Sequence, residues 1–109
     1  MSIKTKLNYS ANFYSRKRKK KEIKFLIFHY TGMKSEKLAI KKLLEAQSGV
    51  SIHYFIKKNG EIILMVPDLY AAWHAGDSQW KKYKLLNKNS IGIEISNPGH
   101  EFEYKNFTK

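Results

Sequence analysis

"FLIFHYTGM", Phe25–Met33, is the stretch that decides the fold. Four apolar residues run unbroken into His29, and Tyr30, Thr31 and Gly32 follow. A run this short, rich in Ile and Phe and closed by a glycine, predicts a β-strand. Its unbroken hydrophobicity predicts burial on both faces, as in an α/β sheet. A histidine ending such a strand is fixed by the strand and presented by the loop. His29 is therefore a candidate for chemistry, against the common alternative of a structurally satisfied histidine.

Working outward, "TGMKSEKLAIKKLLEAQSG" predicts a helix. Ser35 is its N-cap, and Glu36 sits in the first turn, where the helix dipole favours an acid. Ala39, Ile40, Leu43, Leu44 and Gln47 trace one stripe, with Lys37, Lys41 and Lys42 outside it. Gly49 is the stop. "VSIHYFIKKNGEIILMVPD" predicts a hairpin turning at Asn59-Gly60. "LYAAWHAGDSQWKKYKLLNKNS" reads mostly as loop. "IGIEIS" is a further strand, left through the turn Asn97-Pro98-Gly99. Together these predict an α/β fold, a mixed central sheet with flanking helices. Only one good helix is legible, and one helix covers one face of a sheet. "KNFTK" looks like the approach to another, with Thr108 as N-cap. The expectation is that a C-terminal part of the domain is missing.

The 109 residues suffice for one domain. Composition divides them into a basic leader, residues 1–22, and the domain proper, residues 23–109. The absence of cysteine excludes thiol nucleophiles, cysteine metal ligands and a disulfide framework. The net charge of +12 comes largely from scattered lysines. "RKRKKK", Arg16–Lys21, stands apart. With no aromatic platform or recognition helix beside it, it reads as a solvated segment rather than a nucleic-acid site. No apolar signal region and no window long enough for a membrane span are present, so the expected location is cytoplasmic.

Candidate site residues come from the four histidines and from Glu94. In "SIGIEIS", Ile91, Ile93 and Ile95 share one face, and Gly92, Glu94 and Ser96 share the other. An acid inside an apolar strand costs free energy unless paired or working. Here it lies on a small polar face, which suits a cleft or a solvated surface. His53 reads as a core histidine with a backbone partner. Trp73 and His74, in "AWHAGDS", suit recognition of a sugar or peptide, or else Trp73 merely anchors a long loop. His100 reads as surface. No His-x-x-x-His or His-Glu-x-x-His motif supplies a local metal site.

"FLIFHYTGM", "VSIHYFIKKNGEIILMVPD", "AWHAGDSQW" and "LNKNSIGIEISNPGHEF" occur in an order and spacing that resemble the zinc-dependent N-acetylmuramoyl-L-alanine amidases of the amidase-2 type. The resemblance runs from about Tyr9 onward. It implies hydrolysis of the amide between N-acetylmuramic acid and L-alanine, in peptidoglycan or muropeptides. In that family zinc polarises the amide carbonyl, a metal-bound water attacks and a glutamate handles protons. Carried over by motif, His29 would be the first zinc ligand and Glu94 the general base. Trp73 and His74 would line the substrate cleft. Some members carry a catalytic tyrosine where this chain has Ile52. The family's second histidine ligand, its third ligand and a lysine come from a later segment shaped like "GH…P.RK.DPG", which this sequence does not contain. The resemblance thus implies an incomplete zinc site in a chain expected to be inactive as it stands, with peptidoglycan fragments as ligands and a complementing C-terminal fragment as a candidate partner. Two alternatives remain from other classes: a non-catalytic muropeptide-binding module, and a basic nucleic-acid-binding protein resting on "RKRKKK".

Overall fold

A computed structural model describes residues 5–75, 79–80 and 83–97. In chain order the strands are β1 (Thr5–Leu7), β2 (Phe25–Tyr30), β3 (Tyr54–Ile56), β4 (Ile62–Leu64), β5 (Gln79–Trp80), β6 (Tyr83–Lys84) and β7 (Ser90–Ile95), with one α-helix, α1 (Glu36–Leu44). Five strands form a mixed sheet in the order β1-β4-β3-β7-β2. Only the β3–β4 hairpin is antiparallel in it; β1 on β4, β3 on β7 and β2 on β7 are parallel. β5 and β6 make a separate antiparallel pair. The expected mixed α/β architecture is what the structure shows.

The helix forms where its capping chemistry predicts. The Ser35 side chain accepts from the Leu38 amide at 3.2 Å, and Glu36 opens the first turn. Ala39 and Leu43 are buried, Ile40 and Leu44 pack beside them, and Lys37, Lys41 and Lys42 face out. Gln47 falls just past the helix, in a one-turn 3-10 segment that Gly49 closes at φ 67°. That left-handed conformation favours glycine. Gly60 does the same for the hairpin turn at φ 87°.

Register decides which residues share a face. Phe55 pairs with Glu94, and Glu94 pairs with His29. Paired residues in a sheet point the same way. Phe55, Glu94, His29 and Gly92 therefore look toward α1. On this side Ala39, Leu43, Ile52, Phe55, Ile63 and Met65 make the core. The opposite face is different. Leu26, Phe28 and Tyr30 of β2 are 62%, 61% and 44% exposed. The expectation that β2 is buried on both faces is corrected here. Among the described residues it is the last strand of the sheet, and its side chains alternate between half-buried and exposed.

Packing runs across the compositional boundary at residue 22. β1 extends the sheet beyond β4. Asn12 is buried and its side chain donates to Glu45 O at 2.7 Å and Val50 O at 3.0 Å. Within "RKRKKK" five residues are exposed, but Arg18 is buried. The solvated reading of the run fails at that one position because Arg18 finds carbonyl partners inside. No helix among the described residues is long and apolar enough to cross a membrane.

Candidate functional site

β2 and β7 carry His29 and Glu94 side by side, one strand spacing apart, at the end of the sheet where α1 leaves a gap. A cavity of about 190 Å³ opens there, lined by His29, Lys42, Leu43, Trp73, His74 and Glu94 among others. All four site residues singled out from sequence thus line one cavity. His53 lies behind it, fully buried. His100 lies outside the described residues.

The loop that brings Trp73 and His74 to the sheet is clamped by small polar side chains. The Trp73 amide donates to Ser51 Oγ at 2.8 Å, and the Ser51 amide donates to Trp73 O at 2.9 Å. The His74 and Ala75 amides both donate to Asn87 Oδ1, at 3.0 and 2.7 Å. Asn87 is itself buried in a 3-10 turn just before β7. Neither Ser51 nor Asn87 was legible as a site residue. Each lies inside a quoted motif, and a short polar side chain next to a strand is a usual way to hold a loop.

Gly92 makes room for the His74 ring. A Cβ at Gly92 would lie 2.6 Å from His74 Cγ, so no other residue fits with the ring where it is. A glycine inside a strand often marks such a close approach, and that signal was present in "SIGIE". His74 Nδ1 is 2.9 Å from His29 Nε2, and His74 Nε2 is 3.0 Å from Ser90 Oγ. The two rings meet edge to face, with centroids 5.2 Å apart.

His53 is held differently. Gly92 N–H donates to its Nδ1 at 3.0 Å, so its proton is on Nε2, which donates to Tyr70 O at 2.7 Å. Arg18 Nη2 sits 3.3 Å from that nitrogen. Burial first, and the Arg18 charge with it, push the His53 pKa down to about 4, outweighing the opposing effect of the Tyr70 carbonyl. This is the core histidine with a backbone partner that its place in the strand suggested.

Electrostatics separate the cavity's own groups. Burial lifts the Glu94 carboxyl to about 7, against a small opposing effect of Lys42. Burial, and then neighbouring charge, lowers His74 to about 3. Burial also lowers His29. At neutral pH the cavity therefore holds two neutral imidazoles and a carboxyl poised to take or release a proton. The Trp73 indole Nε1 is buried with no hydrogen-bond partner among the described residues. As for a metal, no three His, Cys, Asp or Glu side chains converge among the described residues. A catalytic zinc needs about three protein ligands. The described residues alone do not fit that ion.

Comparison with known proteins gives this geometry a context. Residues 19–109 match the family described as N-acetylmuramoyl-L-alanine amidase. The N-acetylmuramoyl-L-alanine amidase AmiD of Escherichia coli is 39% identical over 84 residues, covering 71% of this chain and 29% of AmiD. The 1,6-anhydro-N-acetylmuramyl-L-alanine amidase AmpD of the same organism is 48% identical over 46 residues, 42% of this chain and 25% of AmpD. Among solved structures, AmpDH3 of Pseudomonas aeruginosa in complex with anhydromuramic pentapeptide superposes with a TM-score of 0.65 at 29% identity, over 84% of this chain and 41% of that one. The matched segments cover under a third of the length of each of the two curated relatives.

Proposed function

The chain belongs to the N-acetylmuramoyl-L-alanine amidase family, and on that premise we propose that it acts on peptidoglycan fragments, hydrolysing the amide between N-acetylmuramic acid and L-alanine. The observation that carries this is His29 and Glu94 side by side on the wall of one cavity, with the carboxyl raised to about 7. A general base works best when its pKa lies near the operating pH. Glu94 takes the proton of the attacking water and returns it to the leaving amine of L-alanine. Trp73 lines the substrate cleft. His74 closes the floor of the cleft with its ring. His29 would offer one nitrogen to a zinc ion, and the remaining ligands would have to come from outside the described residues. The anhydromuramic pentapeptide held by AmpDH3 supports muropeptides as the ligand class.

The test is incubation of the chain and zinc, with the C-terminal part of a family amidase supplied in trans to complete the ligand set, with an anhydromuramyl pentapeptide, reading the freed peptide by mass spectrometry. Release is expected, and Glu94→Gln should cut its rate by about 10²–10⁴-fold. Affinity for the muropeptide without release would favour the second reading, a non-catalytic binding module. The observation on its side is that the described residues do not complete a metal site. No binding even at millimolar ligand would count against both.

A further inference from the structure

The hydrogen bonds that hold His74 have a fixed direction, and that direction can be read from one end. Leu86 O is a carbonyl and can only accept. Ser90 Oγ lies 2.6 Å from it, so the serine hydroxyl donates there. With its proton spent, Ser90 Oγ is an acceptor toward His74 Nε2 at 3.0 Å. His74 therefore carries its proton on Nε2 and presents a bare Nδ1. His29 Nε2 stands 2.9 Å from that Nδ1 and must be the donor. Each step leaves the next group one choice. The chain runs His29 to His74 to Ser90 to Leu86 O.

We propose that His74 is a positioning residue that fixes His29 in its Nε2–H form, leaving Nδ1 as the nitrogen with which His29 works. Among the described residues nothing bonds to that Nδ1. This rests on the reading of His29 as a working residue of the cleft. Three features of the fold serve the arrangement. Gly92 gives the His74 ring its seat, since a Cβ there would overlap it. Asn87 Oδ1 holds the loop on either side of the ring through two amides. Ser90 is fully buried, so water does not compete for its hydroxyl. The role differs from substrate contact. Both ring nitrogens of His74 are committed within the chain, and only its ring surface is left to a ligand. A histidine whose second nitrogen is held this way has its ring orientation and its tautomer set before any ligand arrives.

The experiment is long-range ¹H–¹⁵N correlation NMR of the histidine rings in the uniformly labelled, metal-stripped 109-residue protein at neutral pH. Peaks of His29 are assigned by their loss in His29→Gln. The expected result is an unprotonated ¹⁵N shift for Nδ1 and a protonated one for Nε2, in both His29 and His74. Ser90→Ala, which does not touch His29, should draw the two ¹⁵N shifts of His29 toward each other as the tautomers begin to exchange. His29 protonated on Nδ1 in the unsubstituted protein, or already averaged, would overturn the proposal. So would Ser90→Ala that leaves the His29 shifts fixed. If that variant does not fold, the spectrum of the unsubstituted protein decides alone. Added zinc that leaves Nδ1 unmoved, with the tautomer as assigned, would count against His29 as a ligand and not against its positioning by His74.

Discussion

Two polar regions meet at Gly92, and they are built on opposite plans. On one side, His53 gives both ring nitrogens to backbone, and Arg18 donates to Asp68 O through Nε and Nη2 and to Asn87 O through Nη1. That network is closed; apart from the approach of Arg18 to His53, its bonds end on main chain. On the other side, the bonds from Leu86 O and Ser90 through His74 arrive at His29, a side chain at the cavity wall, with Glu94 beside it. That network is open. Buried polar groups that are fully satisfied rigidify a core. A chain that ends on an uncommitted nitrogen, next to a carboxyl of unusual pKa, is arranged for a ligand. The closed region also supports the open one. Arg18 holds the Asn87 carbonyl, and the Asn87 side chain holds the His74 loop.

The sharpest way to break this contrast is to open the closed side. Arg18→Met should cost about 2–4 kcal/mol in urea unfolding, because carbonyls of Asp68 and Asn87 lose charged donors in a buried setting. If the closed side does support the open one, the variant should also loosen the His74 loop, read as faster exchange of the His74 and Ala75 amides. A loss of stability with those amides unchanged would make the two regions independent.

Gly92→Ala tests the junction itself. Overpacking should cost about 1–3 kcal/mol, and the damage should be one-sided. The new methyl points at the His74 ring, while the Gly92 amide that holds His53 keeps its place. His74 and His29 ring signals should therefore move more than those of His53. Equal perturbation of all three would mean that Gly92 serves the strand and not the ring.

The open region was the more legible of the two in the sequence, and for a physical reason. His29 closes an apolar run, and Glu94 breaks one; both are conspicuous because burying them costs free energy. Strand parity placed Gly92, Glu94 and Ser96 on the polar side, and the register puts Glu94 opposite His29. The helix was legible from Ser35 and its stripe, and the hairpin from Asn59-Gly60. The supports were not. Ser51, Asn87 and Ser90 are ordinary polar residues whose partners lie far away in the chain, and sequence spacing carries no trace of them. Arg18 was hidden inside a basic run where composition argues for solvent. The two-sided burial expected of β2 failed because unbroken hydrophobicity says nothing about where a strand stands in the sheet.

The smallest expected effect separates the regions by the sign of their pH dependence. His53 has its pKa lowered from 6.5 to about 4. The unfolded chain takes up that proton first, so this contribution is intact above about 6.5 and is lost as pH falls toward 4. The closed region thus weakens only on the acid side. In the open region His74 acts with the same sign, lowered from 6.5 to about 3. Glu94 acts with the opposite sign. Its pKa is raised from 4.5 to about 7, so the folded chain holds the proton longer, and stability is lost as pH rises through that range. From about 4.5 to 6.5 the carboxyl therefore offsets part of the histidine loss. Glu94→Gln removes the offset. The variant should lose stability more steeply than the unsubstituted protein on acidification across that window, by at most about 1.4 kcal/mol per pH unit. Above pH 7 it should be the more stable of the two, since it has no buried carboxylate to ionise. Urea midpoints at several pH values measure both limbs. Parallel curves would mean that Glu94 titrates as an exposed acid does, and the described residues of the cavity would lose the group poised to move a proton at neutral pH.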